Sequence, residues 1–253
     1  MRAEPRRTRW SDMPLALWLL AAPLNVAGAQ AIADQLAYCK DEGAAAQARI
    51  EACTQVIVQA RDDDDLRAEA LLQRGVLYEF GGDKDAALAD YSEVIKLDPA
   101  SAVAYFNRGN VHDQMGDRDR AIADYTEAVR LDPSDPDVFN NRGQAYDAKG
   151  EADLAIADYT QSIRLNRENP RAFFNRGLAY ANKGQYDLAV ADFDEAIRLD
   201  PRDAEAYVSR GAVYEELGND AAARSDYRKA LEIVPDHDEA KDALARLENA
   251  TQK

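Results

Sequence analysis

Five arginines, Arg74, Arg108, Arg142, Arg176 and Arg210, each precede an aspartate by 16 residues: Asp90, Asp124, Asp158, Asp192 and Asp226. A row of guanidinium groups could bind an anionic ligand, or each could pair with its own carboxylate. Every one of these arginines stands directly before a glycine, which aims it at a close contact between chain elements. A partly buried guanidinium needs a carboxylate partner, because desolvating it alone is costly. The pattern therefore reads as a structural ion-pair ladder. One residue before each arginine stand Gln73, Asn107, Asn141, Asn175 and Ser209. A carboxamide offers two donors and an acceptor, which suits it to gripping a peptide backbone. Asn107, Asn141, Asn175 and Gln73, with Asn110 and Gln144 beside them, are the candidate binding residues.

Catalytic chemistry finds no comparable pattern. The two histidines, His112 and His237, are far apart, and His112 falls where Tyr78, Tyr146, Tyr180 and Tyr214 stand elsewhere, so it reads as a packing substitute. No nucleophile motif, phosphate-cradling glycine loop or His/Cys metal spacing is present. The run Asp62 to Asp65 lacks the alternating ligands and glycine of a calcium loop and reads as a solvated joint. Neither cofactor nor metal is expected, and the chain reads as a non-enzyme.

The elements that place these residues follow from one interval. The glycines after the arginines, Gly75, Gly109, Gly143, Gly177 and Gly211, are 34 residues apart. Seven residues after each comes another glycine (Gly82, Gly116, Gly150, Gly184, Gly218), twelve after an alanine, and sixteen after an aromatic (Tyr91, Tyr125, Tyr159, Phe193, Tyr227). Apolar residues four before and three after the first glycine share one helical stripe. The second glycine ends a helix in the left-handed conformation. Asp98-Pro99, Asp132-Pro133 and Asp200-Pro201 stop a second helix. Each unit is thus a pair of antiparallel helices, and stacked units bury a shared core while presenting an extended surface.

Length, two-helix layout and the glycine, alanine, aromatic and proline positions resemble the tetratricopeptide repeat family. The resemblance implies an all-α, right-handed α-solenoid with five units at 68–101, 102–135, 136–169, 170–203 and 204–237. The third unit departs from it, ending Asn166-Arg167 without proline, with Pro170 restoring a helix stop three residues later. In that family the first helix of each unit lines a concave groove, and asparagine ladders at this offset hold an extended peptide. The resemblance then places Phe106, Phe174 and Leu178 in the groove as apolar anchors, and Glu79, Asp113, Asp147 and Glu215 as an acidic stripe interrupted by Ala181. Such a groove favours a neutral or basic segment and speaks against capture of an acidic peptide tail.

The two ends differ from the repeats. Arg2, Arg6, Arg7 and Arg9 precede an apolar run from Met13 to Gly28 and a small-x-small site at Ala27-Gly28-Ala29. That is the layout of a secretory signal peptide over 1–29, short for a membrane span. Export makes the two cysteines, Cys39 and Cys53, read as a disulfide, with two small buried thiols as the other reading. They lie in a degenerate helical hairpin cap over 30–67, its helices running from Ile32 to Cys39 and from Ala44 to Ala60. A C-terminal capping helix and tail occupies 238–253, with its apolar stripe at Ala240, Ala243, Leu244 and Leu247. A net charge of −16 argues against a nucleic-acid partner, and no small-molecule substrate is expected. The functional expectation is a periplasmic or secreted scaffold that binds an extended segment of a partner protein in its groove. The alternatives are an adaptor docking a folded envelope enzyme through its convex or edge surface, or a scaffold tethered to the membrane by an uncleaved N-terminal segment.

Overall fold

The computed structural model describes residues 22–250, with side chains over 28–249. The basic start and the apolar run up to residue 21 lie outside the described residues, as do residues 251–253. All regular structure among the described residues is helical. The chain divides into two compact units, one ending at Asp98 and one beginning at Pro99. The first contains α1 (Ala22–Lys40), α2 (Ala46–Gln59), α3 (Asp64–Phe80) and α4 (Lys84–Leu97). The second contains α5 (Ala102–Gln114), α6 (Arg118–Leu131), α7 (Pro136–Ala148), α8 (Ala152–Leu165) and α9 (Pro170–Asn182). It continues with α10 (Tyr186–Leu199), α11 (Ala204–Glu216), α12 (Asp220–Ile233) and α13 (Asp238–Ala250). Among the described residues, no helix is long and apolar enough to cross a membrane.

Each repeat is assembled by the same local devices. An Asp, Asn or Ser side chain caps most helix starts, as Asp117 does for Arg120 N and Asn219 for Ala222 N. Between the helices of a pair the chain turns through a glycine at positive φ, such as Gly150 at 77°, a conformation that costs other residues about 1–2 kcal/mol. The other glycine is needed for proximity. A Cβ on Gly143 would sit 2.8 Å from Tyr159 Cε1, and the same aromatic-on-glycine contact recurs in all five repeats. Those aromatic rings are fully buried, and with the alanines they form the thin core.

The third repeat corrects one expectation. α8 already ends at Leu165, where α4, α6 and α10 end in register at Leu97, Leu131 and Leu199. The stop does not need proline: Asn166 Oδ1 accepts from Glu168 N at 3.0 Å, as Asp132 does from Ser134 N and Asp200 from Arg202 N. This side-chain turn competes with helix continuation. Pro170 instead opens α9 at its first turn, where its missing N–H costs nothing.

The N-terminal hairpin carries the expected disulfide but is more closely related to the repeats than a cap would be. Cys39 and Cys53 are joined by a disulfide, with Cα atoms 4.9 Å apart and both residues fully buried. Thr54, next to Cys53, accepts from Arg74 Nη1 at 2.9 Å. In the second unit Thr126 and Thr160, each next to the ring on its glycine, accept from the arginine of the following repeat in the same way. α2 is therefore the second helix of a sixth, degenerate repeat, with the disulfide replacing the aromatic-on-glycine contact. The spacing is 20 residues in place of 16 because α3 has 17 residues where α5, α7, α9 and α11 have 13. The acidic joint is absorbed into that longer helix: Asp63 caps it, accepting from Leu66 N, and Asp64 and Asp65 form its first turn.

Candidate partner-binding face

In the second unit the first helices of successive repeats touch one another, α5 with α7, α7 with α9 and α9 with α11, whereas no comparable contact joins the second helices. The odd-numbered helices consequently line the inner side of the stack. The repeat period places five rows of side chains there or at its edge, and each row has its own chemistry.

The arginines form forks. Arg142 Nε and Nη2 donate to Asp158 Oδ2 and Oδ1 at 2.7 and 2.8 Å. Arg74–Asp90, Arg108–Asp124, Arg176–Asp192 and Arg210–Asp226 repeat that bidentate geometry. The carboxylates are buried, and the hydrogen bond to each raises the arginine pKa despite burial, so the fork stays charged. The third guanidinium nitrogen reaches back to the preceding repeat: Thr126 for Arg142, Thr160 for Arg176 and Asp194 for Arg210. Rings complete the enclosure, as Phe139 and Tyr146 do around Arg142. The row thus ties each repeat together and, within the second unit, ties the repeats of Arg142, Arg176 and Arg210 to their predecessors.

The amides do not stand apart as a simple ladder. Asn141 Nδ2 donates to Asn110 Oδ1 at 2.9 Å, and Asn175 Nδ2 donates to Asn140 Oδ1 at 3.1 Å. Asn140 Nδ2 in turn donates to Asn141 Oδ1 at 3.3 Å, and Tyr125 donates its hydroxyl to Asn110 at 2.8 Å. Asn110, Asn140, Asn141 and Asn175 are therefore one hydrogen-bonded chain crossing three repeats. Asn107 is half-buried and outside it, as is Gln144. Asn140, only 2 % exposed, was not among the sequence candidates. The signal was available, since Leu72, Phe106, Phe174 and Val208 occupy its offset in the other repeats.

Two members of the acidic row serve buried tyrosines. Tyr227 donates to Glu215 Oε1 at 2.5 Å, and Glu215 also receives Arg246 of α13 at 2.7 Å. Burial pushes the Glu215 carboxyl up, but these two hydrogen bonds outweigh it and hold the group below its ordinary range. In the first unit, Glu79 accepts from Tyr91 at 3.0 Å; Gln73 lies half-buried on the same helix, α3. Aspartate is one methylene shorter. Tyr125 accordingly turns to Asn110 rather than Asp113, which pairs with Arg118 at 3.3 Å. Among the described residues Asp147 has no side-chain hydrogen bond or ion pair, and burial raises its pKa.

α9 breaks the polar pattern. Its inner-facing offsets carry Phe174, Leu178 and Ala181, all packed against the cluster around Phe193. Phe174 and Phe193 lie with ring centroids 5.7 Å apart. Phe106 takes the comparable place on α5, 6.0 Å from Tyr125. His112 is buried on α5, 3.9 Å from Asp124, and burial lowers its pKa. His237 lies instead beside Glu205 at 3.1 Å. Among the described residues, no group of His, Cys, Asp or Glu is arranged to hold a metal ion.

The fold and the repeated sites define a class of protein. The tetratricopeptide repeat family model matches residues 106–170, 140–201 and 174–238, and a TPR repeat model matches 81–116. The chain belongs to the tetratricopeptide repeat family, whose members are generally non-catalytic scaffolds for protein–protein interaction. Among solved structures it is similar to YrrB, described as a TPR protein with an unusual peptide-binding site. The two share 28% identity with a TM-score of 0.66, over 77% of this chain and 98% of that one. MamA is also 28% identical, with a TM-score of 0.62 over 66% of this chain and 91% of its own. MamA from Desulfovibrio magneticus RS-1, at 18% identity and a TM-score of 0.64 over 70% and 98%, shares the fold. No curated protein matches the sequence.

Proposed function

We propose that this chain is an exported scaffold whose inner face holds an extended segment of a partner protein. The observation that carries this reading is the amide row along α5, α7 and α9. Each internal hydrogen bond uses one arm of a carboxamide and fixes its orientation, leaving further donors and acceptors for a backbone laid across the helices. Asn107 and Gln144 extend the row with amides that have no internal partner. Tight arginine forks beneath keep the helices that carry it in fixed register. YrrB, a repeat protein of similar fold, is described as having a peptide-binding site.

Export is supported by the basic and apolar N-terminal sequence and by the disulfide. The repeat register adds a further support. Cys53 corresponds to Tyr91, so the degenerate repeat begins, by the same offset, at Gln30, directly after the small-residue site. Processing there leaves a chain that starts on a repeat boundary. Edman sequencing of the mature protein tests this: a start at Gln30 or Ile32 is expected, and a retained Arg2 identifies the membrane-tethered form.

Photo-crosslinkers test the binding face in intact cells. Placed at Gln144 they should capture a partner protein, and placed at the exposed Ala157 or Ala191 of α8 and α10 they should not. Capture from the α8 and α10 positions alone identifies an adaptor that docks folded proteins through its outer surface. Asn107→Ala should weaken the captured complex without changing the helical spectrum.

A further inference from the structure

We infer that the inner face reads a particular side-chain pattern: an apolar residue seated on α9 and a lysine or arginine about three residues away, over α7. This rests on the groove reading above and specifies its ligand. Three observations place the two subsites. First, α9 presents Phe174, Leu178 and Ala181 where α7 presents Asn140, Gln144 and Asp147, so the inner face turns from polar to apolar between these two helices. Second, Asp147 is half-buried with no side-chain partner, in contrast to Glu79, Glu215 and Asp113, which are all engaged. A carboxylate held partly out of water without a counter-charge is a place where an incoming cation gains most. Third, the α11 side is already neutralised: Glu215 holds Arg246, whose side chain is 63 % exposed. A second cation there would meet that guanidinium.

The spacing follows from geometry. Packed helices lie about 8–10 Å apart, and an extended chain advances about 3.3 Å per residue, so neighbouring helices address positions roughly three residues apart. The occupant is thus a segment of a partner protein with one apolar anchor and one cation on the α7 side. A basic segment is also the one that a chain of net charge −16 draws in by long-range attraction.

Synthetic peptides on the full mature chain provide the test, read by fluorescence anisotropy. The probe is a fluorescein-labelled Gly/Ser dodecamer carrying Lys-Ser-Ser-Leu, made also in the reverse order Leu-Ser-Ser-Lys. At least one order should bind tenfold or more tightly than the same peptide with Glu for Lys, or with Ser for Leu. Asp147→Asn should abolish the preference for Lys over Glu and leave that for Leu. Ala181→Glu, which gives α9 the acid of its neighbours, should abolish the preference for Leu; Leu178→Asn serves as its independent counterpart. Equal binding of all peptides, no binding of any, or preferences that survive these substitutions would each overturn the inference. Peptides bound without preference but weakened by Asn107→Ala overturn it while leaving the groove reading intact. Crosslinks confined to Ala157 and Ala191 remove the groove reading itself.

Discussion

Phe193 carries no hydroxyl in the same repeat in which Ala181, twelve residues earlier, carries no carboxylate. At the same separation Tyr91 donates to Glu79 and Tyr227 to Glu215. In these two repeats hydroxyl and acceptor form a bonded pair, and the fourth repeat lacks both. Phe193→Tyr alone should destabilise the protein by about 1 kcal/mol, since the added hydroxyl has no partner. Adding Ala181→Glu should recover most of that loss, with a coupling of about 1 kcal/mol in a urea double-mutant cycle. Additive effects would show that the two positions are independent.

Gly143 and Gly150 belong to one repeat but resist substitution for different reasons. Gly143→Ala forces a methyl into the ring of Tyr159 and should cost about 1–3 kcal/mol by overpacking. Gly150→Ala meets nothing within 4 Å and should cost about 1–2 kcal/mol through its positive φ. Combining each with Tyr159→Leu separates them: the first penalty shrinks and the second does not.

The Arg142–Asp158 fork should reveal itself by an asymmetry. Asp158→Ala strands a mostly buried guanidinium and should cost about 3–5 kcal/mol. Replacing both members, as Arg142→Met with Asp158→Ala, should cost less than the single change. Denaturant midpoints read this directly, and a double variant less stable than Asp158→Ala would refute it.

Reducing the Cys39–Cys53 bridge should act locally. A closed loop of this length contributes about 3 kcal/mol. Cys39→Ser with Cys53→Ser should therefore speed hydrogen exchange in α1 and α2, with α7 to α12 unchanged. Uniform loosening of the whole chain would contradict this.

His112 makes stability depend on pH in a defined direction. Burial lowers its folded pKa, so its contribution is complete above the unfolded value of about 6.5 and is lost as pH falls below it. Asp124 opposes the shift and Arg108 adds to it. Melting temperature should fall as pH drops below about 6.5, and His112→Tyr, the residue of the other repeats, should flatten that slope. An unchanged slope in the variant would assign the effect to other groups.

Much of this was legible in the sequence because the period is strict. The helix pairs, the glycine turns and the Arg-to-Asp partners all recur at constant offsets, so each repeat confirms the others. Contacts between repeats were not legible in the same way. Asn110–Asn141 and Asn140–Asn175 span 31 and 35 residues, neither equal to the 34-residue period. They follow from how helices lie against each other, which no single repeat encodes. The sixth repeat was hidden by the four extra residues of α3 and by a disulfide standing where an aromatic is expected. The tyrosine acceptors were visible as an acidic row, but only side-chain length shows that Glu reaches and Asp does not.

Two sets of polar contacts join the repeats of the second unit, and they differ in depth. Arg142 and Arg176, held in mostly buried forks within their own repeats, reach back to Thr126 and Thr160, whereas Lys149–Asp119 and Lys183–Asp153, at the helix turns, present carboxylates that are 83 % and 85 % exposed. Ionic strength screens the exposed pairs far more than the buried ones. Added salt therefore slackens one edge of the stack while the other stays clasped, so that successive repeats can fan about the arginine edge like leaves on a spine.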